Sequence, residues 1–387
     1  MRFIFFLAAL ASSVSQNKGA GGGETREETD FSAPYLFEAE NTSKAASLVF
    51  RGTYKMGNAS CAGHGRRRTS KSMVDPEIAS PRIKLSDGRY LAYRETGIPR
   101  DEAKFKIIIV HGFGSSKNMS FSAPQELIEG LKICIVLYDR AGYGESDPNP
   151  TRSLKSEALD IEQLADQLQL GPKFYVIGVS MGSYPTLQSV ALLAAVVNYR
   201  WPSLPKSLIK DDFRKGLVKL ALWLLEHTPG LLYWWMTQKL FNSSNVMEKN
   251  PVFFNDKDME LRFLITVVSF LPPKQNKLEN RSIFENLRQD FMVGFAKWEF
   301  DPLKLNNPFL EDEGSVHLWV GLEDRVVPVE LQRHVMGELP WMKYHEIPHG
   351  GHLIVYDSEI CESILRALLL EEEAYLPASA TPKLVVS

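Results

Sequence analysis

The sequence predicts an α/β fold in which a mostly parallel sheet is covered by helices and interrupted by a helical insertion. Residues 104–113 and 132–140 each contain a stretch that is apolar on both faces, which is typical of strands buried in a parallel sheet. A helical pattern at residues 153–171 follows the second run and leads into a third strand. Residues 199–300 then break the alternation and carry five of the seven tryptophans.

The composition predicts a globular protein with a large hydrophobic core. The 387 residues are 44% hydrophobic and carry a net charge of -3, so a large core is expected and charge gives no reason to expect a nucleic-acid partner. Three scattered cysteines form no disulfide framework or metal-binding pair. No apolar run is long enough to cross a membrane.

The first 78 residues are predicted to lie outside the fold. Residues 1–16 have the shape of a secretory signal peptide, with a basic residue, an apolar run and small residues. The alternative is a disordered start, so the secretory pathway and the cytoplasm both stay open. The Gly-rich and Arg-rich stretch that follows is typical of a disordered leader.

Order is expected from residue 79, where the first part of the core, residues 79–198, begins. In residues 81–97 two alternating runs flank Asp87 and Gly88, a strong signal for a β-hairpin. Later, Ile161, Leu164 and Ala165 recur with the spacing of one helix face, which predicts an amphipathic helix.

Ser180 lies between Gly178 and Gly182 at the end of a strand-like run. A sharp turn from strand to helix lifts such a serine clear of the sheet, because the glycines allow close approach. The helix start would aim the N–H of Met181 at a developing oxyanion, and the N–H of Phe113 is the candidate second donor.

The chain after Ser180 is short. Only residues 181–189 precede the next predicted strand, at 190–199, which contains Val196 and Val197. Because a parallel crossover normally takes a dozen or more residues, either the strand starts late, near Leu193, or the crossover is strained. We expect this segment to be a weak point that leaves an apolar run exposed.

Residues 199–305 are predicted to form a helical cap. Leu217, Leu220, Ala221 and Leu224 have helical spacing. The apolar side chains of this insertion either pack on the sheet or, for some aromatics such as Trp223, line a pocket over Ser180.

A serine nucleophile needs a histidine base and a carboxylate that orients it. Residues 316–322 form an apolar run that ends at Glu323 and Asp324, and a carboxylate at a strand end suits the role. Asp324 is the candidate, with Glu323 as the alternative.

Three histidines follow, and His352 is the candidate base because it comes after two glycines in a loop. His345 and His349 are the alternatives. A metal pair of His349 and His352 is the rival interpretation, but the two glycines between them favour a loop over a helix and no third ligand is near.

The second part of the core is predicted at residues 306–372, ending in a helix, and residues 373–387 form a flexible tail. The helix is indicated by a common face of Ile360, Ile364, Ala367 and Leu368.

Five stretches together resemble the α/β-hydrolase superfamily: HGFGSS, DRAGYGESD, GVSMGS, GLEDRVVP and GGHLIV. The chain is similar in particular to an esterase-like branch common in plants, to which residues 196–206 also point. The resemblance implies an eight-stranded, mostly parallel sheet and hydrolysis through an acyl-serine intermediate, with no metal or cofactor.

The sequence therefore predicts a serine hydrolase of carboxylic esters, with Ser180 as nucleophile, His352 as base, Asp324 as orienting acid and Phe113 and Met181 as oxyanion donors. A small apolar ester is the expected partner. Two alternatives stay open: a receptor-like protein that binds a ligand with the same residues, and a hydrolase impaired at its nucleophile segment.

Overall fold

A computed structural model describes residues 80–186, 191–237, 253–261, 281–309 and 314–373. The predicted signal peptide and leader, and residues 374–387 of the predicted tail, lie outside the described residues.

The described residues form one eight-stranded sheet in the order β1-β2-β4-β3-β5-β6-β7-β8. The strands are β1 Arg82–Lys84, β2 Tyr90–Gly97, β3 Phe105–Val110, β4 Ile133–Tyr138, β5 Tyr175–Val179, β6 Ala191–Leu193, β7 His317–Gly321 and β8 Lys343–Ile347. Strand β2 runs antiparallel to β1 and β4, and all other neighbours are parallel. The predicted fold class is confirmed.

The helices between and after these strands are α1 Gln125–Gly130, α2 Leu154–Gln167, α3 Phe213–His227, α4 Pro229–Thr237, α5 Arg281–Phe295, α6 Val329–Glu338 and α7 Ser358–Leu370. Short 3-10 helices lie at Ser180–Thr186, Pro302–Lys304 and Ile354–Tyr356.

The hairpin predicted around Asp87 and Gly88 is confirmed. Strand β1 pairs with β2 in a register that places Ile83 opposite Leu91. Gly88 has a φ of 93°, a conformation that favours glycine.

Side chains alternate along the central strands and build a core on each face of the sheet. Ile107 and Ile109 of β3 pack in a cluster with α7, whereas Ile108 and Val110 pack in a cluster with α2. This is why β3 is apolar on both faces. The predicted apolar faces of α2 and α7 are confirmed as buried.

The crossover after Ser180 differs from the expectation in two ways. Ser180–Thr186 forms a 3-10 helix, which rises about 2.0 Å per residue against about 1.5 Å for an α-helix. Strand β6 starts at Ala191, so the first of the two alternatives, a late start near Leu193, is wrong. Residues 187–190 of the connection lie outside the described residues.

Strand β6 is also shorter than predicted. It ends at Leu193, because Ala194 adopts a left-handed φ of 47°, so Val196 and Val197 lie beyond the strand. Residues 191–197 are nevertheless buried, and the expectation that this apolar run is exposed is wrong for them.

The insertion between β6 and β7 contains the helices α3, α4 and α5, a helical turn at residues 256–261 and irregular stretches between them. The predicted helix is α3, in which Leu217 and Ala221 are buried but Leu220 is 36% exposed. Trp223 and Trp234 are 52% and 54% exposed.

Within the described ranges, the structure has no helix that is both long and apolar enough to span a membrane.

Candidate active site

Ser180 lies where β5 ends and the 3-10 helix begins. Its φ is 52°, a conformation that costs free energy in any residue other than glycine. The turn is tight, because a Cβ added at Gly182 would lie 2.3 Å from the carbonyl oxygen of Val110 and 2.6 Å from that of His111. The predicted strained turn after a central strand is therefore present.

His352 lies in the loop after β8 and contacts Ser180 directly. Its Nε2 accepts a hydrogen bond of 3.0 Å from Ser180 Oγ, and its Nδ1 donates one of 2.8 Å to Asp324 Oδ2. His352 is 7% exposed. The structure thus brings together the three residues that the sequence singled out.

Asp324 is held by the backbone that follows it. Its Oδ1 accepts hydrogen bonds from the N–H groups of Val326 and Val327, at 2.8 and 2.9 Å. Its other oxygen is left for His352, so both oxygens have a partner and the carboxylate has a fixed orientation.

The rival residues lie elsewhere. Glu323 pairs with His349 at 2.9 Å on the exposed side of the loop. His345 stacks on Trp319 and approaches His317. In the part of the chain that the structure describes, no three metal-ligating side chains come together.

The charges around His352 favour its protonated form. Burial lowers the pKa of the imidazole, but the charge and hydrogen bond of Asp324, together with the charge of Asp258, outweigh burial and raise the pKa above its usual value of 6.5. The surroundings of His352 therefore stabilise its imidazolium form.

The backbone around Phe113 lies beside Ser180. A Cβ added at Gly112 would be 3.2 Å from Ser180 Cβ, and Phe113 is the next residue. His111 fixes this loop, because its Nε2 accepts from the Arg140 N–H at 3.1 Å and its Nδ1 donates to the Gly112 carbonyl at 2.8 Å. Burial and the charge of Arg140 lower the pKa of His111 to about 3, so its ring stays neutral.

A buried charge network below this loop was not anticipated from the sequence. Arg140 follows β4 and bonds to Glu157 of α2 and Asp290 of α5. Arg152 bonds to the same two carboxylates. All four residues are at most 8% exposed. The only signal in the sequence was the position of Arg140 in DRAGYGESD.

Tyr143 and Tyr184 complete the network, since each hydroxyl donates to Asp290. The positive charges of Arg140 and Arg152 overcome the effect of burial and hold the pKa of Asp290 well below its usual range. Helix α5 of the insertion is thereby tied to the 3-10 helix that carries Ser180 and to the loop around Phe113.

Apolar side chains from α5 lie next to the candidate oxyanion residues. Phe291 contacts Phe113 with ring centroids 6.3 Å apart, and Phe295 packs on Phe291 at 4.7 Å. A Cβ at Gly294 would lie 2.7 Å from the Met181 Cε. Helix α5 therefore packs against both Phe113 and Met181.

Comparison with known proteins identifies a protein family whose sequence pattern this chain matches. The family model described as "Alpha/beta hydrolase family" matches residues 107–361, about two thirds of the chain. The comparison with curated proteins found no match.

Two solved structures share the fold at low sequence identity. An alpha/beta hydrolase enzyme, MGS-M2, from a Medee basin deep-sea metagenome library has a TM-score of 0.52 at 15% identity and covers 74% of this chain and 96% of its own. A bromoperoxidase from Bacillus anthracis has a TM-score of 0.52 at 17% identity and covers 76% and 99%.

Proposed function

The chain belongs to the alpha/beta hydrolase family, and from this we propose that it is a serine hydrolase that cleaves carboxylic esters through an acyl-serine intermediate. The observation that carries the proposal is the unbroken hydrogen-bond chain from Asp324 through His352 to Ser180, with links of 2.8 and 3.0 Å. That order of acid, base and nucleophile is what activates a serine hydroxyl.

In the first half of the reaction, Ser180 Oγ forms a bond to the ester carbonyl carbon while its proton moves to His352 Nε2. The carbonyl π pair becomes an oxyanion, for which the N–H groups of Phe113 and Met181 are the proposed donors. When the intermediate collapses, the alcohol oxygen leaves with the proton from His352, and the acyl group stays on Ser180.

In the second half, water gives a proton to His352 Nε2 and its oxygen bonds to the acyl carbon. Collapse then releases the carboxylic acid, and His352 returns the proton to Ser180 Oγ. Asp324 keeps Nδ1 protonated throughout, so that Nε2 is the nitrogen that accepts and donates.

We propose a small apolar ester as substrate; the support for it is the buried apolar cluster that Phe291 and Phe295 form beside Phe113 and Met181. In this proposal residues 199–305 act as a cap over a core made of residues 79–198 and 306–372. The stretch at 196–206 supports a place in the esterase-like branch common in plants.

The test is the substitution Ser180→Ala. We expect it to abolish labelling by a fluorophosphonate probe and to lower p-nitrophenyl butyrate hydrolysis by at least about 10⁴-fold, because no other group supplies the nucleophile. The melting temperature should stay close to that of the native protein, since the lost hydroxyl makes one net hydrogen bond worth only about 1 kcal/mol.

Ser207→Ala, at an exposed serine of the insertion, is the matched control and should retain full activity. More than one product released per protein molecule distinguishes an esterase from a receptor that captures its ligand once. Unchanged hydrolysis in Ser180→Ala would refute Ser180 as the nucleophile.

A further inference from the structure

Asp258 is a buried carboxylate that reaches the histidine loop from the insertion. It lies in a helical turn at residues 256–261 and is 0% exposed. Its Oδ2 accepts the backbone N–H of His352 at 3.0 Å, and its Oδ1 accepts that of Leu353 at 2.8 Å. The contact joins residues 94 positions apart, so it is a tertiary link.

The contact is close and specific. A Cβ added at Gly351 would lie 2.1 Å from Asp258 Oδ2, so the carboxylate sits directly against the backbone of the histidine loop. Both oxygens are occupied by N–H groups of adjacent residues, which fixes the direction of the chain at His352. Hydrogen bonds from N–H groups to an ionised carboxylate are stronger than those between neutral groups.

Asn255 anchors the same segment. Its Nδ2 donates to Glu323 Oε2 at 3.0 Å and to the His349 carbonyl at 3.1 Å, and its Oδ1 accepts the Asp258 N–H at 2.8 Å. The segment therefore bridges the loop that carries Asp324 and the loop that carries His352. These two loops must keep their relative position for the hydrogen-bond chain to Ser180 to survive.

We propose that Asp258 is a positioning residue for His352, fixing the imidazole between Asp324 and Ser180 through the backbone and stabilising the imidazolium by its charge. The inference rests on the proposed hydrolase function and names a fourth residue that this function requires. It also gives the insertion a part in positioning His352.

The charge contributes as well as the geometry. Asp324, from the loop after β7, and Asp258, from the insertion, are the charged groups that raise the pKa of His352 against the effect of burial. Glu323 and His349 form an exposed pair, and Asn255 donates a hydrogen bond to the Glu323 carboxylate. Burial raises the pKa of Asp258 itself, and its two N–H partners oppose this only in part.

The experiment compares Asp258→Asn, Asp258→Glu and the control Asp256→Asn, which removes an exposed carboxylate two residues away. The full chain of each is assayed with p-nitrophenyl butyrate from pH 5 to 9, and melting temperatures are recorded. The ring ¹⁵N shifts of His352 are titrated in parallel, because they report its pKa without any turnover.

We expect Asp258→Asn to lower kcat by roughly 10-fold to 100-fold with little change in KM, as for a small displacement of a reacting group. The His352 titration should move to lower pH, because a negative charge near the imidazolium is lost. Asp258→Glu should also lower kcat, since its carboxylate is displaced, but should keep the titration nearer the native pH. Asp256→Asn should change neither quantity.

An unshifted His352 titration in folded Asp258→Asn, or a kcat within twofold of the native value, would overturn the proposal. If both variants of Asp258 fail to fold, its role is structural only and the proposal is wrong. If the native protein neither hydrolyses the ester nor reacts with a fluorophosphonate at Ser180, the proposed function fails instead, and the ¹⁵N titration still decides whether Asp258 acts on His352.

Discussion

Replacing Asp290 with asparagine removes a negative charge that two buried arginines share. Arg140 donates to Asp290 at 2.6 and 3.1 Å, and Arg152 donates to it at 3.1 Å. In the variant, the amide NH₂ would face guanidinium donors. Glu157 would then be the one carboxylate in this network that remains to neutralise Arg140 and Arg152. Water cannot compensate, because Arg140 is 1% exposed and Asp290 0%.

The size of the effect follows from this burial. Removing one partner of a buried ion pair costs about 3–5 kcal/mol, because the remaining charge is left without compensation. For a folded region of this size each kcal/mol lowers the melting temperature by about 2–4 °C, so we expect a fall on the order of 10 °C. Helix α5 would loosen first, since Asp290 is its charged link to the core.

The assay is thermal unfolding followed by circular dichroism at neutral pH, with urea unfolding as a second measure. The matched control is Glu285→Gln on the same helix, which breaks a partly exposed pair with Arg288 and should cost at most about 1 kcal/mol. Equal stability of Asp290→Asn and Glu285→Gln would refute the reasoning that the buried network ties α5 to the core.

Two further predictions concern the proposed site. Ester turnover should fall on acidification as His352 takes up a proton and can no longer act as base; because its pKa is raised, the midpoint should lie above 6.5. A rate that is flat from pH 5 to 8 would contradict a histidine base. Inserting about a dozen polar-patterned helical residues after Thr186 should raise the melting temperature and soluble yield, because a 3-10 helix of seven residues has weaker hydrogen bonds than an α-helix. An unchanged melting temperature and activity would show that the short crossover is already well accommodated.

Sequence patterns were sufficient where a local rule determines the structure. The apolar runs at β3 and β4 are apolar on both faces because both faces are buried, and this pattern places the strands. Once the strands are placed, the residues at their ends become candidates for the functional site, because ligands and reacting groups gather at the carboxyl edge of a parallel sheet. Ser180, Asp324 and His352 were predicted in this way, and both Ser180 and Asp324 lie within hydrogen-bond distance of His352.

Patterns failed where a role depends on contacts between distant residues. Asp258 and Asp290 belong to helical segments in which an acidic residue ordinarily faces water, and nothing local distinguishes them from Asp256 or Glu285. Their partners lie 94 and 150 positions away. The extent of β6 was overestimated for a related reason, since an apolar run reports burial and does not report strand pairing.

The three residues of β6 have a consequence for how heat inactivates the protein. Strand β6 meets β5 and β7 over three residue pairs on each side, and Ser180 follows β5, whereas Asp324 and His352 follow β7 and β8. The proposed nucleophile therefore follows a strand on one side of β6, and its proton acceptor follows a strand on the other side. Within the described residues, only the short strand β6 joins these two parts of the sheet. Loosening these few pairs would pull Ser180 away from His352 while the other strands stay intact, so catalysis should cease at a lower temperature than the loss of secondary structure.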